Sequence, residues 1–183
     1  MESQKLIKKV IESLNSFNAS FFMSKKRELD EKGKREGRVS QSEKMQNVKD
    51  NLQIPLKNHL EQNFKYCFPL LKWIVEKKLE GCNDSVDIYA SDSTDWEIIV
   101  EIDAARADQV AKKIVSRFSH ISESRKKNIL YIVLCYPGTE SMNFNECKKY
   151  VCYGEKIIKR IHDSAFFFSA FVNNDRIECR IQP

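Results

Sequence analysis

The chain is poor in glycine and histidine and has no long apolar run. Only five of its 183 residues are glycine, and none lies in a glycine-rich loop of the kind that cradles phosphate. The three histidines, at positions 59, 120 and 162, are widely spaced, which gives little basis for a histidine zinc site or a histidine-based catalytic set. No apolar stretch approaches the roughly 18 residues that a membrane span requires. We therefore expect no membrane segment and no nucleotide-binding loop.

The six cysteines do not follow a metal-binding or disulfide pattern. No two of them form a Cys-x-x-Cys pair, and several lie within apolar segments. The first residues are polar and lead into a charged helical pattern, unlike a signal peptide. These features predict reduced, mostly buried thiols in a cytoplasmic protein.

The length and the hydrophobic content of the chain suffice for one folded domain with an extension. Hydrophobic residues make up 42% of the chain, and 31 basic against 26 acidic side chains give a net charge of +5. This excess permits contact with nucleic acid without requiring it. We expect an N-terminal helix and charged arm over residues 1–50 and an α/β core over residues 51–183.

The first 50 residues contain two different patterns. Residues 5–22 carry an apolar stripe at helical spacing, which predicts a helix that covers the core or, alternatively, pairs with a second copy in a homodimer. Residues 24–50 are rich in charge, which predicts an exposed loop or arm, with or without helical turns. Its basic side chains either follow a phosphate backbone or are simply solvated.

The remaining sequence alternates between helical and strand patterns. A helix is predicted from Pro55, with a second run through Leu79 that stops at Gly81. The later helices are predicted near 105–119 and from a cap at Asn143 to about 162. Strands are predicted at 85–90, 96–103, 129–136, 165–172 and 176–181. This order predicts an α/β fold (α+β), with a central mixed sheet flanked by helices.

Acidic residues share one face of the strand 96–103. Glu97, Glu101 and Asp103 alternate with apolar residues, and Asp87 lies in the preceding strand. Buried carboxylates repel one another and lose solvation, so such a cluster needs a cation or a proton. Oxygen ligands suit Mg²⁺ or Mn²⁺, and the pattern therefore predicts a metal site.

Asp87, the tripeptide Glu101-Ile102-Asp103 and the helix that follows resemble the PD-(D/E)XK nuclease superfamily. Its members carry an acid on one strand and an acid-x-lysine tripeptide on the next. The resemblance covers about residues 54–181 and implies a restriction-endonuclease-like fold. Asp87 matches the first acid, Glu101 the second, and Glu61 an accessory acid on the preceding helix; Asp103 stands where the lysine should be.

The missing lysine has a chemical consequence, because the ammonium orients the attacking water and stabilises negative charge in the transition state. Either Lys112 or Lys113 reaches the vacant position from the next helix, as in related nucleases, or Asp103 binds metal and two ions act together. Gln109 resembles a polar residue that faces the site in some members. Arg106 lies at the start of that helix, where a phosphate would approach.

The resemblance implies a nuclease that depends on Mg²⁺ or Mn²⁺ and hydrolyses nucleic acid, with DNA the favoured substrate. Asp87, Glu101, Asp103 and Glu61 would be the metal ligands. The alternative is a catalytically inactive nuclease-fold domain that binds nucleic acid or a protein. In that case Glu101 and Asp103 form ordinary ion pairs with Arg106, Lys112 or Lys113, or Asp103 caps the following helix.

Overall fold

The computed structural model describes residues 2–79, 84–93, 95–104, 106–124, 126–138 and 144–180. The N-terminal part is helical and contains a π-helical turn between its last two α-helices. Its elements are α1 (Glu2–Ser16), α2 (Ser20–Glu36), α3 (Gln41–Val48), the π-turn (Lys49–Gln53) and α4 (Ile54–Phe64).

The remaining elements form a mixed sheet with two further helices. They are β1 (Lys72–Lys78), β2 (Ser85–Ser91), β3 (Trp96–Asp103), α5 (Ala107–Glu123), β4 (Asn128–Cys135), α6 (Phe144–Ile161), β5 (Ala165–Asn173) and β6 (Arg176–Arg180). The six strands lie in sequence order; β3, β4 and β5 are parallel, and the other neighbours are antiparallel. The predicted fold class, a mixed sheet flanked by helices, is confirmed.

Helices cover each face of the sheet, which gives two hydrophobic cores. Strand β3 has side chains in both cores. Ile98, Val100 and Ile102 pack in one core with residues of α1, α2 and α4. Ile99 packs in the second core with residues of α5 and α6. Glu97, Glu101 and Asp103 follow the alternation of Ile99 and are almost fully buried. The division of β3 into an apolar face and an acidic face is therefore as predicted.

The stretch 24–50, predicted as an exposed arm, is mostly helical. Phe22 anchors the start of α2 in the core, and Lys26 pairs with Asp30 one turn further on. Ser40 and Glu43 form a capping box that begins α3. Charged residues at helical spacing form ion pairs and hydrogen bonds with one another, so this segment forms helices although it has no apolar stripe.

The predicted second helical run, from Leu70 to Leu79, was wrong, because residues 72–78 form strand β1. Trp73 is buried and its neighbours Lys72 and Ile74 are exposed, which is the alternation of a strand. Pairing of β1 with β2 supplies the backbone hydrogen bonds. Apolar residues at 70, 71, 74 and 75 fit a helix equally well, so spacing alone could not separate the two states.

The N-terminal stripe is used inside the chain. Leu6, Val10 and Leu14 have no exposed surface and pack in the first core. The predicted stop at Gly81 and cap at Asn143 lie outside the described residues. None of the helices in the described ranges is both long and apolar enough to cross a membrane.

Candidate functional site

Strand β2 parts from β3 at Asp87. The two strands pair from Ser91 opposite Glu97 to Ile88 opposite Val100. At Asp87 a side-chain contact takes over, because Oδ2 accepts a hydrogen bond from the Ile102 backbone N–H at 2.7 Å. The Asp87 carbonyl accepts one from Gln53 Nε2 at 2.5 Å. The Asp87 carboxylate is thereby held beside the end of β3.

Lys113 of α5 places its ammonium between three carboxylates, which we call the acidic cluster (Asp87, Glu101 and Asp103). Its Nζ lies 2.9 Å from Asp87 Oδ2, 3.1 Å from Glu101 Oε2 and 3.7 Å from Asp103 Oδ2. It also donates to the Ile102 carbonyl at 3.1 Å. Burial lowers the pKa of Lys113, but the three carboxylates outweigh burial and hold that pKa above its usual value. The ammonium therefore stays charged.

Arg117, one helical turn beyond Lys113, is a second cation of the site and is fully buried. Its Nε donates to Glu101 Oε1. Its terminal nitrogens donate to Asp84 Oδ2 and to the Ser85 carbonyl, each at 2.8 Å. The Arg117 hydrogen bond, against partial burial, lowers the pKa of Asp84. Arg117 therefore ties Glu101 to the start of β2.

Negative charge exceeds positive charge at this site. The acidic cluster and Asp84 supply four carboxylates, and Lys113 and Arg117 supply two cations. Burial raises the pKa of Glu101 to about 7, although Lys113 and Arg117 oppose the shift. Burial likewise raises the pKa of Asp103, against Lys113. A proton or an additional cation would relieve this surplus.

One oxygen of Glu101 is left over in this network. Glu101 has no exposed surface, and its Oε2 accepts no hydrogen bond from any described residue, although Lys113 Nζ lies 3.1 Å away. A buried polar atom without a hydrogen-bond donor is unusual in a folded protein. Its position, facing the centre of the acidic cluster, suits a ligand that supplies positive charge.

Four residues predicted for the site lie outside it. Lys112 is exposed, and Glu61 pairs with Lys57 on the surface of α4 at 2.6 Å. Arg106 and Gln109 both contact the exposed carboxylate of Asp108, at 3.2 and 2.9 Å. Consecutive residues on a helix point about 100° apart, so α5 can direct only one of its two adjacent lysines inward.

Asp103 does not cap the following helix. Its Oδ1 accepts from the adjacent Ala104 N–H at 2.8 Å, whereas α5 begins at Ala107 with Arg106 at the cap position. The expectation of a helix cap was therefore wrong, because the chain between β3 and α5 is longer than a cap at Asp103 permits. Its other oxygen remains directed at Lys113.

Sequence reasoning missed Arg117 and Gln53. Arg117 follows Lys113 by four residues, so helical spacing from one inward cation could have identified the second. Gln53 had no such signal. It lies at the end of the π-turn, and the extra residue in such a turn changes which side chains face the sheet.

Helix α2, which packs on the opposite face of the sheet from the acidic cluster, is linked to the end of β3 through the segment after β4. The Asp103 carbonyl accepts from the Tyr136 N–H at 2.9 Å, and the Tyr136 ring packs on Phe22 of α2 at 5.3 Å. Lys26 of α2 also donates to the Gly138 carbonyl at 3.3 Å. The segment after β4 thus connects the acidic cluster to α2. The exposed cations of α2 are Arg27, Lys34 and Arg35.

The donor chemistry of the site fits Mg²⁺ or Mn²⁺, since every candidate ligand is an oxygen. Those oxygens come from the acidic cluster and the Ile102 carbonyl, and Glu101 Oε2 is buried without a hydrogen bond. Within the described ranges no three acidic, histidine or cysteine side chains are already arranged to hold a metal ion. The Lys113 ammonium lies between the carboxylates instead.

No protein-family model matches the chain, and no curated protein matches its sequence. A function for the chain is therefore inferred from the geometry of the acidic cluster.

Proposed function

We propose that the protein is a divalent-metal-dependent nuclease of the PD-(D/E)XK type. One observation carries the proposal: Lys113, from the helix after β3, contacts both Asp87 and Glu101. An ammonium is thus supplied to the acid pair although Asp103 occupies the expected lysine position. The mixed sheet flanked by helices agrees with the fold that this resemblance implies.

Asp87, Glu101 and the Ile102 carbonyl would hold the metal ion, with Asp103 as a further ligand. When bound, the ion supplies Lewis-acid chemistry and lowers the pKa of water. Glu101 is fixed for this purpose by Arg117, which binds one carboxylate oxygen and leaves the other directed into the acidic cluster. Asp87 is fixed by the Ile102 N–H and by Gln53. Ligands held in this way need little reorganisation on binding.

Lys113 has the chemical role of stabilising charge on the phosphate. In the reaction, the oxygen of a water molecule bonds to phosphorus and the bond from phosphorus to one ester oxygen breaks. One proton leaves the water, and one joins the departing oxygen. Negative charge grows on the phosphoryl oxygens during this step, and a fixed ammonium lowers its energy. The ion pairs of Lys113 keep it protonated for this role.

The substrate would be nucleic acid, with DNA favoured, and α2 would help to hold it. The exposed cations of α2 lie on a helix connected to the acidic cluster through Tyr136 and Gly138. A polyanion must be attracted past the local negative charge of the cluster, and flanking cations provide that attraction. Binding should therefore weaken steeply as salt is raised.

The test is cleavage of plasmid and single-stranded DNA with Mg²⁺ or Mn²⁺, using four purified variants. Glu101→Gln, Asp87→Asn and Lys113→Met should each reduce the cleavage rate by about 100-fold or more. Lys112→Met is the matched control, because it removes the adjacent, exposed cation of α5, and its rate should be unchanged. Cleavage that survives Glu101→Gln in folded protein would overturn the proposal.

A second candidate is a catalytically inactive domain of the same fold that binds nucleic acid. The two cations already bound to the acidic cluster favour it, because Lys113 and Arg117 together can stabilise the carboxylates without a metal. This candidate predicts no cleavage and no effect of Mn²⁺ on the melting temperature, since a ligand that binds the folded state must raise it. It also predicts oligonucleotide binding that Arg27→Ala and Arg35→Ala weaken.

A further inference from the structure

We infer that Lys113 and the divalent ion compete for the same oxygens, so that the ammonium is a built-in competitor that a metal must displace. The inference rests on the proposed function for the presence of a metal, and it adds how access to that site is controlled. Lys113 would then have two positions: between the carboxylates without metal, and beside the bound phosphate with it.

The contacts of Lys113 carry this inference. Its Nζ lies 2.9 Å from Asp87 Oδ2, 3.1 Å from Glu101 Oε2 and 3.1 Å from the Ile102 carbonyl. These three oxygens are the ones that would bind the ion. A cation at about 2–2.5 Å from the same atoms would lie on or next to the ammonium, so both cannot be present together.

A second observation concerns Glu101 Oε2, which forms an ion pair with Lys113 but no hydrogen bond with a described residue. Glu101 is fully buried, and Oε2 accepts no hydrogen bond from the described residues even with the ammonium nearby. The ammonium therefore satisfies the site only in part. A divalent ion would ligate this oxygen directly and would also offset the surplus of carboxylates over cations that the site carries.

The side chain of Lys113 is able to leave. It is 27% exposed, whereas Arg117 is fully buried and bonded at three positions. A lysine has a flexible four-carbon stem, so a small rotation would move Nζ out of the acidic cluster while α5 stays in place. Competition is thus confined to one of the two cations, and Arg117 continues to fix Glu101.

The first test measures Mn²⁺ affinity by calorimetry for the wild type, Lys113→Met and Lys112→Met. Lys113→Met should bind Mn²⁺ about tenfold more tightly than the wild type, because the competitor and its repulsion of the ion are both removed. The matched control, Lys112→Met, should bind like the wild type. Equal or weaker binding by folded Lys113→Met overturns the inference.

A second test needs no variant and so does not depend on the folding of Lys113→Met. Wild-type protein is treated with an amine-acylating reagent, with and without Mn²⁺, and modification is located by mass spectrometry. Lys113 should be protected without metal and modified several-fold faster with it, whereas Lys112 should react equally in both. A rate at Lys113 that does not respond to Mn²⁺ at saturating concentration overturns the inference.

These results separate the inference from the proposed function. Tighter Mn²⁺ binding by Lys113→Met together with no DNA cleavage by the wild type would leave the competition intact and end the nuclease proposal. Metal-dependent cleavage that Glu101→Gln abolishes, together with unchanged affinity in Lys113→Met, would keep the nuclease proposal and end the competition. Absence of Mn²⁺ binding in every protein would end both.

Discussion

Each end of strand β3 buries a glutamate on the same face of the sheet. The two glutamates differ in their hydrogen-bond partners. Glu97 has both oxygens bonded, to His120 at 2.7 Å and to Ser124 at 2.8 Å. Glu101 has one oxygen bonded to Arg117 and the other without a hydrogen bond from the described residues. Helix α5 covers both glutamates. The two glutamates therefore differ in their hydrogen bonds, although they share one face of β3 and are both buried.

Their pKa values shift in opposite directions. Burial raises the pKa of Glu97, but hydrogen bonds from His120 and Ser124 outweigh it, so the net shift is downward. Burial of Glu101, with a smaller contribution from Asp87, raises its pKa to about 7 against the opposing effects of Lys113 and Arg117. Glu97 is a satisfied structural anion, whereas Glu101 belongs to a site with unmatched negative charge. Buried carboxyl groups with a raised pKa and unmatched negative charge nearby, such as Glu101, are typical of functional sites.

Removing the buried cation of the Glu101 end should have the largest effect on stability. Arg117→Met leaves Glu101 buried without its guanidinium partner and frees Asp84, so we expect a loss of about 3–5 kcal/mol in the free energy of unfolding. Urea denaturation measures the loss. Arg117→Lys should recover part of it, and Lys112→Met should show none. A loss below about 1 kcal/mol for Arg117→Met would show that Glu101 does not need this cation.

Glu101→Gln should change the pH dependence of stability. Because the folded-state pKa of Glu101, about 7, lies above the usual value of 4.5, its contribution to stability is fully present below pH 4.5 and is lost as pH rises through about 7. The variant lacks this loss, so its stability relative to the wild type should improve over this window by up to about 3 kcal/mol. Denaturation at pH 5, 6 and 7.5 tests the slope, with Glu61→Gln as the exposed-carboxylate control. A flat difference contradicts the raised pKa.

The pH dependence of stability in Glu97→Gln should be opposite to that in Glu101→Gln. The loss of stability should be smaller than in Arg117→Met. The lowered pKa of Glu97 means that its contribution is present above the unfolded-state value and is lost as pH falls through the folded-state value. Near neutral pH the amide replaces two hydrogen bonds to a charged carboxylate with weaker neutral ones, which we expect to reduce stability by about 2 kcal/mol. The reduction should shrink in acid. Mn²⁺ binding should not change, and a weaker affinity would place Glu97 in the metal site.

The difference between the two ends was only partly accessible from sequence. Alternation placed Glu97, Glu101 and Asp103 on one face correctly, because strand geometry leaves no other choice. It could not indicate which glutamate would meet His120 and which Arg117, since that depends on how α5 lies across the sheet. The choice between Lys112 and Lys113 was undetermined for the same reason.

The errors in the fold have a similar origin. Residues 70–79 carry apolar side chains that fit a helix and a strand equally, and only pairing with β2 selects the strand. The charged stretch 24–50 lacks the apolar stripe that identifies most helices, and its helices depend on local ion pairs and a capping box. Gln53 reaches Asp87 because of a π-turn, which no spacing rule anticipates.

Gln53 binds β2 at the point where it parts from β3, and the Glu97 end of β3 has no such contact among the described residues. Removing the Gln53 side-chain amide should have the smallest effect on stability. Gln53→Met keeps the shape of the side chain and removes the hydrogen bond to the Asp87 carbonyl, so we expect a loss of about 1 kcal/mol. The exposed Gln46, which bonds Asp50 at 2.8 Å, supplies the control Gln46→Met.

The informative measurement on Gln53→Met is Mn²⁺ affinity. Asp87 would keep its carboxylate but lose the contact that fixes its backbone, and groups that orient metal ligands typically contribute about 10-fold or more to affinity. We therefore expect weaker binding in Gln53→Met and none of this effect in Gln46→Met. If affinity is unchanged, the Ile102 N–H alone positions Asp87, and the parting of β2 from β3 is a consequence of sheet twist, with no role in the site.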